Sequence, residues 1–330
     1  METAFLPSGQ QIAWDATSLN KFKKCPRAYQ LSILMGYRRK EKKLDIEWGV
    51  AIHAGLETYY KQRFYLEQEL AEDDNLTETT FDPHELALNA AIRKVLELSG
   101  TRGEDGVFYP WPEEFETNNK SRMTLLRATI WYCDEVAKDD ALKTHIMEDG
   151  TPAVELSWRI HLPIKHTKSG QPYILCGHID RIGEMGYAIY PIDFKSTGGT
   201  VNTSYFERFD PDGQMYGYSV GADVILGRPS MGVMVDGIQA AVGFNRFGRA
   251  PIVISQDQKE EWLHETYYWI KKAEECATTY GLDGSVPWPK NDSSCFLCDF
   301  KRICNKSPGS RASFLARDFY IYKWDCLKIR

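Results

Sequence analysis

The chain has 330 residues, 43% hydrophobic and 26% charged, with 40 Lys and Arg against 46 Asp and Glu for a net charge of −6. That is enough to bury a substantial core, in one large domain or two modest ones, and the 25 Gly and 15 Pro are ordinary usage that excludes a collagen-like or low-complexity chain. No apolar run approaches the roughly 18 residues of a membrane span, and the opening METAFLPSGQQIAWD lacks a basic region followed by an apolar stretch, so a cytoplasmic protein without a signal peptide is expected.

Residues 15–36 read as a helix, capped by Thr17 or Ser18, with Leu19, Phe22, Cys25, Tyr29 and Ile33 at spacings of three and four. Residues 21–43 hold nine Lys and Arg against Glu41 alone. Such a run reads either as a solvated face or as a phosphate-contacting one. Residues 38–43 read as a loop. Helices follow over 48–70, 84–98 and 118–138; the acidic stretch Glu72, Asp73, Asp74, Glu78 ends the first, and GTRGEDGVFYPWP is a loop between the last two. The character changes near Thr151. Strands are predicted over 154–163, 173–182 and 187–194, with SGQP and GEMG as turns. A short helix over 211–220 follows. Residues 231–247 and 252–255 read as strands with NRFGRAP as the turn, and 258–280 as a helix. A Pro- and Cys-rich segment (286–308) and a basic, aromatic tail close the chain. Helices around a run of strands predict an α/β or α+β fold with a mixed sheet.

Residues 177–197, GHIDRIGEMGYAIYPIDFKST, carry the chemistry. Asp193 and Lys195 are two apart on a strand and point to one face, and a neighbouring strand can bring Asp180 beside them. Two carboxylates in an oxygen-rich site suit Mg²⁺ or Mn²⁺. A lysine beside the metal can orient the attacking water, which the metal acidifies while stabilising charge on a phosphoryl oxygen. This equipment fits phosphodiester hydrolysis, and no serine or cysteine nucleophile arrangement accompanies it. Taken alone, D-x-K also reads as an ordinary salt bridge at a strand end, and His53 as a packing residue on an amphipathic helix.

Together these residues resemble the PD-(D/E)xK nuclease superfamily, and its RecB-like branch in particular. Asp180 in GHID matches that branch's G-x-x-D, and Asp193-Phe194-Lys195 matches (D/E)-x-K. Gln214 and Tyr218 match Q-x-x-x-Y, four apart and so on one helix face. His53 in WGVAIHAGLE matches the histidine that completes the metal site. The resemblance implies His53, Asp180, Asp193 and the Phe194 carbonyl as metal ligands and Asp180, Asp193 and Lys195 as the catalytic set. It places Gln214 and Tyr218 against the site and the DNA. Glu155, one strand earlier, is either a solvent-facing residue or an acidic support for the metal.

Eight cysteines in a cytosolic chain point to metal or redox chemistry rather than disulfides. Cys295, Cys298 and Cys304 form C-x2-C-x5-C, and zinc or an iron–sulfur cluster needs a fourth ligand. Cys25 is the candidate. In iron–sulfur members of the branch, such as AddB-type subunits and CRISPR spacer-acquisition nucleases, an early C-P-x-x-Y joins three late cysteines. Cys25-Pro26-Arg27-Ala28-Tyr29 reproduces the first part. The resemblance implies a [4Fe-4S] clasp, with Zn²⁺ the alternative. On the disulfide analogy, closing so long a loop contributes roughly 4 to 5 kcal/mol.

The implied architecture is a restriction-endonuclease-like α/β core with a mixed central sheet flanked by helices, a helical insertion and the clasp. Residues 1–57 supply the first helices, 58–150 the insertion, 151–308 the nuclease core and late cysteines, and 309–330 the tail, whose Phe314, Phe319, Tyr320, Tyr322 and Trp324 can stack on bases or pack on the domain. The implied function is an Mg²⁺- or Mn²⁺-dependent DNA exonuclease in recombination, repair or phage DNA processing. A helicase or recombination partner, or self-association, accompanies that reading. The alternative is a DNA-binding or scaffold subunit of a recombination or CRISPR-adaptation complex.

Overall fold

Asp15 starts the first helix. Its carboxylate accepts a hydrogen bond from Ser18 N at 2.9 Å, and Ser18 Oγ accepts one from Asp15 N at 3.2 Å. This reciprocal cap sets α1 (Ala16–Lys24) directly after the short strand β1 (Ala13–Trp14). The computed structural model describes residues 3–73 and 81–328; Asp74 and Glu78 of the expected helix-breaking stretch lie outside them.

The helix expected over 15–36 is broken. Cys25 is extended (φ −165°, ψ 110°), because the proline that follows disfavours a helical predecessor. α2 (Pro26–Tyr29) restarts with Pro26 in its first turn, and a π-helical turn (Gln30–Leu34) completes the run. The loop expected over 38–43 begins instead as β2 (Tyr37–Arg39), which pairs antiparallel with Phe319–Ile321. No local pattern contains a partner so distant.

Next come α3 (Leu44–Glu72), α4 (Pro83–Leu98), the hairpin β3 (Gly100–Arg102) and β4 (Phe108–Pro110) inside the expected loop, and α5 (Arg122–Tyr132). After them run β5 (Lys143–Thr144), β6 (Val154–Lys165), β7 (Pro172–Met185) and β8 (Ala188–Thr197). α6 (Thr203–Glu207), α7 (Gly213–Leu226), β9 (Gly232–Ala240), β10 (Asn245–Val253) and α8 (Gln256–Tyr280) follow. α9 (Lys301–Cys304), α10 (Arg311–Asp318) and β11 (Phe319–Ile321) end the chain. NRFGRAP, read as a turn, is most of β10. Arg249 within it lies opposite Asp236 of β9 and binds both its carboxylate oxygens, so the turn moves to residues 241–244.

Seven strands form one mixed sheet, ordered β1-β7-β8-β9-β10, with β5 and β6 also on β7. α1, α7 and α8 bury Leu19, Phe22, Val220, Trp262 and Ile270 against one face. α3, α4 and α5 bury Trp48, Leu56, Val95, Leu125 and Tyr132 against the other. The result is the expected mixed α/β architecture, a central mixed sheet between helical layers. α7 reaches the sheet through Gly221, where a Cβ would lie 2.3 Å from the Trp158 indole nitrogen. Among the described residues no helix is long and apolar enough to cross a membrane.

One feature of the sheet positions the site. β7 and β8 pair antiparallel from Met185↔Ala188 to Arg181↔Ile192, and no further. From Ile192 onward β8 runs parallel to β9. The strands therefore fork, and the first residues past the fork are Asp180 and Asp193.

Candidate active site

Across the fork a side chain replaces a ladder bond. Asp180 Oδ2 accepts a hydrogen bond from Phe194 N at 3.1 Å. Asp180 is 5% exposed and Asp193 0%. His53 enters from α3 with Nδ1 3.3 Å from Asp180 Oδ2. The Phe194 ring stacks on Tyr60 at 6.1 Å and presents itself edge-to-face to the His53 ring at 6.0 Å, which seats the imidazole beside the carboxylate.

Lys195 lies on the same side as Asp193, as the two-residue spacing dictates, with Nζ 2.9 Å from Oδ1 and 2.7 Å from Oδ2. Its ammonium also donates to Gln214 Oε1 at 3.0 Å, and Gln214 Nε2 donates to the Tyr218 hydroxyl at 3.2 Å. The four-residue spacing on α7 thus makes one relay from Lys195 through Gln214 to Tyr218. Two supports were not legible. Asp212 caps α7 by accepting from Gln214 N at 2.7 Å, and the Tyr205 hydroxyl donates to the Lys195 carbonyl at 3.1 Å. Asp212 stands in a D-x-Q cap pattern that could have announced it.

Burial and charge pull the two carboxylates apart. Burial, helped by the Asp180 charge, pushes Asp193 up to about 6 despite Lys195. Burial also pushes on Asp180, but His53, Lys195 and the Phe194 N–H outweigh it and hold that carboxyl below its ordinary value. Burial pushes on Lys195 in the downward sense and is overcome by Asp193 and Asp180, so it stays a firm cation. Burial raises the Tyr218 phenol well above its usual range.

Glu155 has φ +53°, left-handed for a residue with a side chain, and the pairs Val154↔Arg181 and Leu156↔Ile179 bracket it opposite Asp180. The ladder keeps its register across this residue, so the strain is local to Glu155, beside the acidic pair. A cleft of about 560 Å³ opens over the fork, and its far wall is the C-terminal tail, through Tyr322, Trp324, Asp325 and Lys328. Tyr322 and Trp324 are two of the aromatics expected to stack or pack.

Among the described residues no three or more His, Cys, Asp or Glu side chains are gathered closely enough to hold a metal ion as they stand. The donor chemistry nonetheless fits a hard divalent cation. Two carboxylates and an imidazole meet at the fork, and buried Asp193 Oδ2 accepts no well-angled hydrogen bond.

Three of the four candidate cysteines share one small cluster, and the fourth, Cys295, reaches it through Asn291. Cys25, Cys298 and Cys304 pack into one cluster with Phe300, Ile303 and Phe319. Asn291 N points at Cys25 Sγ at 3.5 Å, and Cys295 Sγ contacts Asn291 O at 3.7 Å. The remaining four stand elsewhere; Cys133, Cys176 and Cys326 are buried, and Cys276 is half-buried.

A family model described as PD-(D/E)XK nuclease superfamily matches residues 13–305, which include every site residue above except the tail. No curated protein matches the chain. Among solved structures, that of SSO0001 is 12% identical with a TM-score of 0.26, over 46% of this chain and 59% of that one. Protein VC1899 from Vibrio cholerae is 13% identical with a TM-score of 0.23, over 75% and 62%. The chain therefore spans about three-fifths of the length of those structures.

Proposed function

The chain belongs to the PD-(D/E)XK nuclease superfamily, and we propose that it is an Mg²⁺- or Mn²⁺-dependent deoxyribonuclease that works as an exonuclease in DNA recombination, repair or phage DNA processing. The observation that carries this is the β7–β8 fork, which sets Asp180 against Asp193 with Lys195 tethered by Gln214. His53, Asp180, Asp193 and the Phe194 carbonyl hold the cation, and Glu155 supports them. The cation, when bound, supplies electrostatic stabilisation of the phosphoryl oxygens and an acidified water. Lys195, held as an ammonium, orients the attacking water and neutralises charge on the phosphoryl oxygens, and the water's proton passes to solvent. Gln214 and Tyr218 keep the ammonium in place, since a lysine free on its four-carbon stem would sample other positions. The intact set Asp180, Asp193 and Lys195 favours an active nuclease over a scaffold subunit.

In the same reading Cys25, Cys295, Cys298 and Cys304 bind a [4Fe-4S] cluster, and residues 58–150 are a helical insertion that guides DNA. The test is cleavage of linear and circular, single- and double-stranded DNA with Mg²⁺ or Mn²⁺, using protein purified without oxygen. Linear DNA is consumed and circles spared, and Lys195→Ala loses about 10² to 10⁴ in rate. Binding without cleavage on any substrate, or equal cleavage by the variant, replaces this reading with the DNA-binding subunit.

A further inference from the structure

One surface of this acidic chain carries a net positive charge. Residues 37–43 and 295–321 meet through the β2–β11 pairing, the Lys43–Asp299 ion pair at 2.6 Å and the bond from Lys40 Nζ to Ala316 O at 3.2 Å. Together they hold ten Lys and Arg against Glu41, Asp299 and Asp318, a net +7 in a chain of −6, so the remainder carries −13. At the tip of this surface, between Cys295 and Cys298, Phe296 and Leu297 are 82% and 84% exposed. Lys301 sits 6.0 Å over the Phe296 ring.

From Lys43 the helix α3 leads to the fork. Ile46 and Val50 are 59% and 58% exposed, four apart on one face, and His53 continues that face three residues on. Lys43 to His53 is about 15 Å of helix, at 1.5 Å per residue. Beside the stripe, a Cβ on Gly49 would lie 3.9 Å from Ser196 Oγ, next to Lys195.

Resting on the nuclease reading, we propose that this surface is the landing site for a single-stranded nucleic-acid end. Bases stack on Phe296 and pass along Ile46 and Val50. The Lys and Arg of residues 37–43 and of the C-terminal segment hold the phosphates around Phe296, before the strand reaches Ile46 and Val50. A protein partner would also cover two apolar side chains, but cations this dense against an acidic remainder select a polyanion.

The test is anisotropy of a dye-labelled 12-nucleotide oligothymidylate on the whole protein, without added divalent metal, over a range of salt. The double variant Phe296→Ala, Leu297→Ala weakens binding by about tenfold or more at every salt, with an unchanged salt slope. Lys301→Ala with Arg302→Ala lowers the slope by about 1.4. Because Phe296 and Leu297 lie between cluster cysteines, wild-type protein is also photocrosslinked to a 5-bromodeoxyuridine 12-mer. The adduct is expected within residues 291–301. Affinity within twofold of wild type for the Phe296 and Leu297 variant, or adducts confined to other peptides, overturns the proposal. Failure of the nuclease reading looks different: binding and adduct persist, and no DNA is cut with Mg²⁺ or Mn²⁺.

Discussion

Gln214 joins a cation to a buried phenol with one amide, accepting from Lys195 and donating to Tyr218. Gln214→Ala therefore frees the ammonium without opening the core, and kcat/KM on single-stranded DNA is expected to fall about 10- to 100-fold with unchanged thermal stability. An equal loss of stability and activity would make Gln214 a packing residue. Both motifs around it were legible because their spacings, two on a strand and four on a helix, fix a shared face whatever the tertiary context. Tyr205, and the place over the cleft of the tail aromatics Tyr322 and Trp324, were not, since only the folded chain brings them there. A second residue is tested by pH. Glu274 on α8 accepts from Lys271 Nζ at 2.6 Å and from Thr167 N at 2.6 Å. Burial pushes its carboxyl up, but these bonds outweigh it and hold it at about 2 against an ordinary 4.5. A folded pKa below the unfolded one gives stability that is fully present above about pH 4.5 and is lost as pH falls towards 2. Glu274→Gln should thus cost about 2 kcal/mol at pH 7 in urea unfolding, and the gap from wild type should close by pH 2. A gap constant across that window would show that the charge contributes nothing.

At the scale of elements, the packing of α7 on the sheet sets where Gln214 and Tyr218 stand. Gly221 lets the helix close on Trp158, and a methyl group there would meet the indole at 2.3 Å. In an open helix Gly→Ala stabilises by up to about 1 kcal/mol. Here the sign reverses: Gly221→Ala is expected to cost about 1 to 3 kcal/mol by equilibrium unfolding, and to lower activity through the displaced relay. A stabilised variant would mean that Trp158 yields freely. The same scale shows where local reading stops. The turn expected at NRFGRAP lost to β-pairing because Arg249 reaches two buried carboxylates, Asp236 and Asp140, each with a hydrogen bond of 2.6 Å. The helix expected over 15–36 broke at Cys25 because a proline rule outweighs hydrophobic periodicity, and that break is visible in the sequence as Cys25-Pro26.

For the whole molecule, the two ends of the chain are sewn together beside the cysteines. Arg27 Nε donates to Trp288 O at 2.8 Å, Gln30 exchanges bonds of 2.9 Å each with Val286 O and Trp288 N, and Asn291 Nδ2 reaches Lys24 O at 3.1 Å. Trp288 itself belongs to the first core, packed on Phe22 and Tyr29, whereas Cys25, Cys298 and Cys304 sit in a separate small cluster with Phe300, Ile303 and Phe319, so the cysteine segment and the sheet can fail separately. On the proposed [4Fe-4S] reading, wild-type protein purified without oxygen absorbs near 400 nm and Cys25→Ala does not. The substitution should raise amide exchange over 295–321 by about tenfold or more, with β7, β8 and β9 still protected. The loosened segment includes β11, which holds the tail against the cleft, so cleavage should fall although His53, Asp180, Asp193 and Lys195 are untouched. A colourless wild type carrying zinc would assign the four thiolates to that metal instead. Exchange that rises equally in β7, β8 and β9 would show that the ends and the core form one cooperative unit.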